Sequence, residues 1–108
     1  MRFESYDLDV KATAVTAADA NCGEIFDVAS FTDRLVVLTP GNAGNKLQLQ
    51  AGLTRDKLIP VGAEADGATD DDLPVEIHGG WKYIQVATTA YAAGTPAAEF
   101  GGLNHRTV

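Results

Sequence analysis

The sequence predicts an all-β protein, an antiparallel β-sandwich of about seven to eight short strands with an extended C-terminal arm. Three observations carry that expectation. Runs of β-branched, leucine and aromatic residues recur at fairly regular intervals between turn-forming residues. No segment has the length and apolar stripe of a stable helix. Strands do not alternate with helices, as a parallel sheet would require. With 108 residues, the chain is long enough for one core. The sandwich is assigned to 1–97 and the arm to 98–108.

Each element follows from its residues. In YDLDVKATA (6–14), Tyr6, Leu8, Val10 and Ala12 alternate with Asp7, Asp9 and Lys11, which predicts a strand with one buried face. EIFDVA (24–29) is a short strand. RLVVLT (34–39) is a continuous apolar run suited to a strand covered on both faces. KLQLQA (46–51) is the clearest alternation, with Leu47, Leu49 and Ala51 on one face and Lys46, Gln48 and Gln50 on the other. The intervening PGNAGN (40–45) has the residues of a turn, so 34–51 reads as a β-hairpin with a long loop. KLIPVG (57–62) and LPVEIH (73–78) contain Pro60 and Pro74, which belong on strand edges because proline cannot donate to a ladder. Gly79 and Gly80 then predict a tight hairpin joining 73–78 to WKYIQVATT (81–89). The Ala-rich pieces 12–20 and 90–93 allow a helical turn at most. In AEFGGLNHRTV (98–108), glycines separate the anchors Phe100, Leu103 and Val108, which suggests an arm that orders on a neighbour.

Composition excludes several functions. Fifteen Asp and Glu against eight Lys and Arg give a formal charge of −7, a surface that repels phosphate backbones, and no nucleic-acid partner is expected. Residues 83–98 lack charge, but Gln85, Gly94 and Pro96 interrupt them, so no membrane span is expected. The opening MRFESYDLDV is charged where an export signal needs an apolar run. The single cysteine, Cys22, cannot form an intrachain disulfide and reads as a small, partly buried, dispensable residue.

No catalytic constellation emerges. Ser5 and Ser30 lie outside any nucleophile-elbow context, and GNAG (41–44) lacks the lysine and helix of a phosphate loop. His78 and His105 are far apart and show no zinc spacing. Asp66, Asp70 and Asp72 in the acidic EADGATDDD (64–72) do not follow the order of an EF-hand, so that segment reads as a solvated loop. We therefore expect no enzyme, no cofactor and no metal site. Trp81 and Tyr83 remain. On one strand they would share a face with Gln85, opposite Lys82, Ile84, Val86 and Thr88. A strand covered on both faces, a protein interface and a carbohydrate platform each account for them.

Taken together, IFDVASFTDRLVVLTPGNAGNKLQLQAG and LPVEIHGGWKYIQVATT, within residues 24–89, resemble the small β-sandwich virion proteins of tailed bacteriophages, the capsid decoration or cement type. The resemblance rests on strand texture and carries no catalytic residues over. It implies a jelly-roll-like sandwich that forms a dimer or trimer and is made in the host bacterial cytoplasm. It further implies attachment to the outer capsid surface, where the protein staples neighbouring major capsid subunits. Trp81, Tyr83, Phe100, Leu103, His105 and Arg106 are the expected interface residues. The competing expectations are a carbohydrate- or host-surface-binding β module and a minor tail or baseplate component.

Overall fold

The most regular alternation in the sequence forms the longest strand. In the computed structural model, which describes residues 2–11 and 22–104, β4 (Lys46–Thr54) buries Leu47, Leu49 and Ala51 completely. The other strands are β1 (Arg2–Leu8), β2 (Phe26–Asp27), β3 (Asp33–Thr39), β5 (Lys57–Pro60), β6 (Ala65–Asp66), β7 (Leu73–Glu76), β8 (Tyr83–Ala90) and β9 (Ala97–Asn104). All pairings are antiparallel, and no helix occurs among the described residues. The all-β sandwich expected from the sequence is what forms.

One sheet has the order β1-β9-β3-β7 and the other β2-β8-β4-β5, with β6 also on β4. The connectivity follows from one long hairpin bent at residues 54–57. Its rungs pair β4 with β5, β3 with β7, β2 with β8 and β1 with β9, and successive rungs fall in alternate sheets. Wrapping this ribbon sets β9 beside β3 and β8 beside β4. That is the topology of a jelly roll.

Two expected hairpins are therefore corrected. β3 and β4 belong to different sheets, and so do β7 and β8. The 40–45 segment is an arch between sheets, held by a side chain that the turn residues concealed. Asn45 is fully buried and donates from Nδ2 to the carbonyls of Pro40 (3.0 Å) and Ala93 (2.7 Å). Its Oδ1 accepts from the backbone N–H of Ala92 at 2.7 Å. One amide thus ties two loops together with its polar atoms satisfied, which a buried amide requires. The 77–82 segment likewise crosses the sandwich, with Gly79 at φ 87°, a left-handed conformation suited to glycine.

The arm is also corrected. Residues 97–104 form β9, an interior strand paired to β1 over seven positions on one side and to β3 over seven on the other. Phe100 is 0% exposed and has no part in a surface interface. Its ring lies 5.1 Å from Phe31, 5.4 Å from Phe26 and 6.5 Å from Tyr6, centroid to centroid, so one aromatic cluster bridges the sheets. Gly102 faces inward on the same strand, and a Cβ there would collide with the Phe31 ring. The glycines read as breaks are seats for aromatic side chains. Residues 105–108, with His105 and Arg106, lie outside the described residues, as does the Ala-rich piece 12–20.

Phe100→Ala should lower unfolding stability by about 3–5 kcal/mol, the usual cost of emptying a packed aromatic site. Urea denaturation checks this; a loss below about 1 kcal/mol would mean that Phe100 does not organise the core.

Candidate functional site

Strand direction gives the sandwich two unlike ends. At one end β4 finishes and β8 begins, where Gly52 pairs with Tyr83. In the other sheet, β1 and β3 begin there and β9 finishes, where Leu103 lies opposite both Phe3 and Asp33. At the far end lie Lys46, Ala90, Thr39 and Ala97. The nine residues of β4 separate the ends by about 30 Å at ~3.3 Å per residue. That exceeds the Debye length of about 8 Å at physiological salt, so each end presents its own electrostatic surface.

The far end carries most of the net negative charge. Asp7 and Glu99 face each other across β1 and β9, and Asp72 accepts from the Thr39 hydroxyl at 2.6 Å. Glu64 accepts from the Thr89 hydroxyl at 2.7 Å, and Asp66 and Asp70 cap the 66–70 turn, with Asp71 beside them. Of these seven carboxylates Asp66 has a cation beside it, Lys46 at 4.0 Å. The acidic loop is exposed to half-buried apart from Ala65, as a solvated loop requires.

The near end is close to neutral and apolar. Arg2, Arg34, Arg55, Lys57 and Lys82 offset Glu4, Asp27, Asp33, Asp56 and Glu76. Among the described residues, four of the five large hydrophobics that stand exposed are also here: Phe3 at 67%, Leu53 at 66%, Ile59 at 44% and Leu35 at 37%. They line two depressions. One, of about 350 Å³, includes Phe3, Leu35, Leu103, Arg34, Glu76 and His78. The other, of about 320 Å³, is formed by Gly52, Leu53, Thr54, Lys57, Ile59 and Trp81.

Trp81 precedes β8 rather than lying on it, and it is half-buried against the core. Arg34 fixes its backbone. This side chain points inward from β3, is 9% exposed, and donates from Nη1 to the Trp81 carbonyl and from Nη2 to the Gly79 carbonyl. Its Nε is buried with no partner among the described residues, and burial pushes the guanidinium below the ordinary arginine range. A buried cation without a carboxylate is costly, and here it secures the loop that carries Trp81 across the sandwich.

Tyr83 does lie on β8, half-buried, and Ile84, Val86 and Thr88, on the other face, point inward. Arg55 lies 4.9 Å and Lys82 5.2 Å from its ring centroid. Trp81, Tyr83 and Leu103 thus gather at the near end, Trp81 and Leu103 in different depressions. Phe100 is in the core. His78 is exposed and bonded to Glu76 at 3.0 Å, and Cys22 is half-buried in a bridge to Ala87.

The sequence reading missed Phe3, Leu53, Ile59 and Arg34. One of them left a signal. Phe3 is out of phase with Tyr6 and Leu8, so a strand that aims those two at the core turns Phe3 outward. Leu53 continues the phase of Leu47, Leu49 and Ala51, but a register shift between Ala51 and Thr54 turns it outward.

The class that fold and site define is a small jelly-roll sandwich with an acidic end and an apolar, neutral end. No family model matches the chain, nor does any curated protein or solved structure.

Arg34→Met keeps the buried stem and removes both carbonyl bonds. It should cost about 1–3 kcal/mol in urea denaturation and shift Trp81 fluorescence to the red. An unchanged Trp81 spectrum would mean that Arg34 does not position this loop.

Proposed function

We propose that this protein is a non-enzymatic structural protein of a tailed-bacteriophage virion, a decoration or cement protein that binds the outer capsid surface and bridges major capsid subunits. The observation that carries the reading is the polarity of the sandwich. Exposed Phe3, Leu35, Leu53 and Ile59 gather at the end where charge nearly cancels, while the carboxylates in excess of nearby cations gather at the other. Such a molecule loses least by burying its apolar end and keeping its acidic end in water. The resemblance of residues 24–89 to small virion sandwiches, and a topology that recurs in capsid domains, support the same reading.

Attachment then works by burial of apolar area at each of many lattice positions, with moderate single-site affinity multiplied by repetition. Self-association as a dimer or trimer belongs to this proposal. The carbohydrate reading would use Trp81 and Tyr83 as a stacking platform. Tyr83 has cations over its ring and does not line the cleft that Trp81 lines, so the two rings do not make a shared platform.

The test is sedimentation with heads of the phage whose genome encodes the chain, stripped of decoration, alongside its isolated capsid subunits. Saturable binding to assembled heads is expected. Leu53→Glu should weaken it at least about tenfold, and Asp71→Asn should leave it unchanged. No binding to heads, or equal effects of both substitutions, would overturn the proposal.

A further inference from the structure

The Trp81 cleft combines features that point to one kind of occupant. Leu53 and Ile59 form apolar walls and are both exposed, and the Trp81 side chain lines the cleft while packing against the core. Lys57 lines the cleft, and Arg55 and Lys82, next in sequence to the lining Thr54 and Trp81, lie over the Tyr83 ring. Among the described residues none of these three cations is in an ion pair, although the chain carries an excess of seven negative charges. Asp56 and Asp27 are the nearby carboxylates, and Asp27 caps the Ala29 N–H at 2.9 Å.

A cation lining an apolar cleft, with two more next in sequence to its lining residues and none of the three in an ion pair, favours a negatively charged guest with an apolar anchor. We infer that the Trp81 cleft binds an extended acidic segment of the partner protein, with one large apolar side chain seated between Leu53, Ile59 and Trp81. The chain's own acidic loop lacks such an anchor. Between Glu64 and Asp72 its apolar residues are Ala65, which is buried, and Ala68, and Leu73, which follows, is half-buried against the core on β7. The occupant is therefore a different protein rather than a second copy. For the identity of that protein the inference rests on the docking-end reading. For the chemistry of the segment it rests on the cleft alone.

Trp81, the single tryptophan, reports occupancy directly. The full-length protein is titrated with the acetylated, amidated peptide DEELDED while Trp81 emission is followed. Controls are NQQLNQN, DEEADED and an oligogalacturonate. The expected result is a saturable blue shift with DEELDED below about 1 mM, weakened by added salt and at least about tenfold stronger than with either control peptide. Lys57→Glu should weaken binding about tenfold or more, whereas Lys11→Glu, with the same change in net charge at an exposed site, should not. No saturable shift, an equal shift with NQQLNQN, or equal effects of the two charge reversals would overturn the inference. Binding of oligogalacturonate alone would overturn it in favour of an acidic saccharide. Peptide binding without attachment to heads leaves the cleft chemistry standing and removes the capsid reading. Attachment to heads that Leu53→Glu weakens but Lys57→Glu does not, without peptide binding, does the reverse.

Discussion

The insertion of β9 between β1 and β3 is the constraint on which the rest of the molecule depends. Seven residue pairs on each side bring the two ends of the chain into one sheet, and Phe100 from this strand anchors the aromatic cluster that joins the sheets. Only β4 and β5 pair across a short turn; the other ladders join segments far apart in sequence. Loop entropy must be lost before those contacts form, which places the protein among slow-folding topologies.

The wrap also explains the two ends. A thin sandwich has room inside for one layer of side chains from each sheet, and here Val36, Leu38, Leu47, Leu49, Ile84, Val86 and Phe100 fill it. Phe3 and Leu35 lie on the outward phase of their strands, and the register shift in β4 turns Leu53 outward. They cannot enter the core without a change of register that would expose everything else. At the opposite end the cross-strand pair Asp7–Glu99 places like charges face to face, a mildly destabilising arrangement. Apolar exposure and charge repulsion are both small costs to folding. Both cease to be anomalous if one end is covered by a partner and the other faces solvent.

How much was legible in the sequence follows from what each signal measures. Alternation in KLQLQA reports burial of one face, and β4 has that face buried. The run RLVVLT reports a strand, and β3 is one. Neither signal says which strand lies alongside, so adjacency in the chain suggested two hairpins where the wrap makes two crossings. Gly101 and Gly102 look like breaks in a tail because sequence shows a missing side chain but not the ring that occupies its space. Phe100 was misplaced for that reason. Arg34 was hidden because a charged residue at a strand start ordinarily faces water, and its role is visible only once the carbonyls of Gly79 and Trp81 are beside it. Trp81 and Tyr83 were found by size alone, and their separation into a cleft wall and a cation-covered ring depends on geometry.

The claim that the molecule docks by its apolar end is tested most directly by hydroxyl-radical footprinting of the protein bound to assembled heads and free in solution. Phe3, Leu53 and Trp81 should lose reactivity on binding, while residues 64–72 keep theirs. Protection of the acidic loop with continued reactivity at Leu53 and Trp81 would contradict the account and reverse the orientation of the molecule.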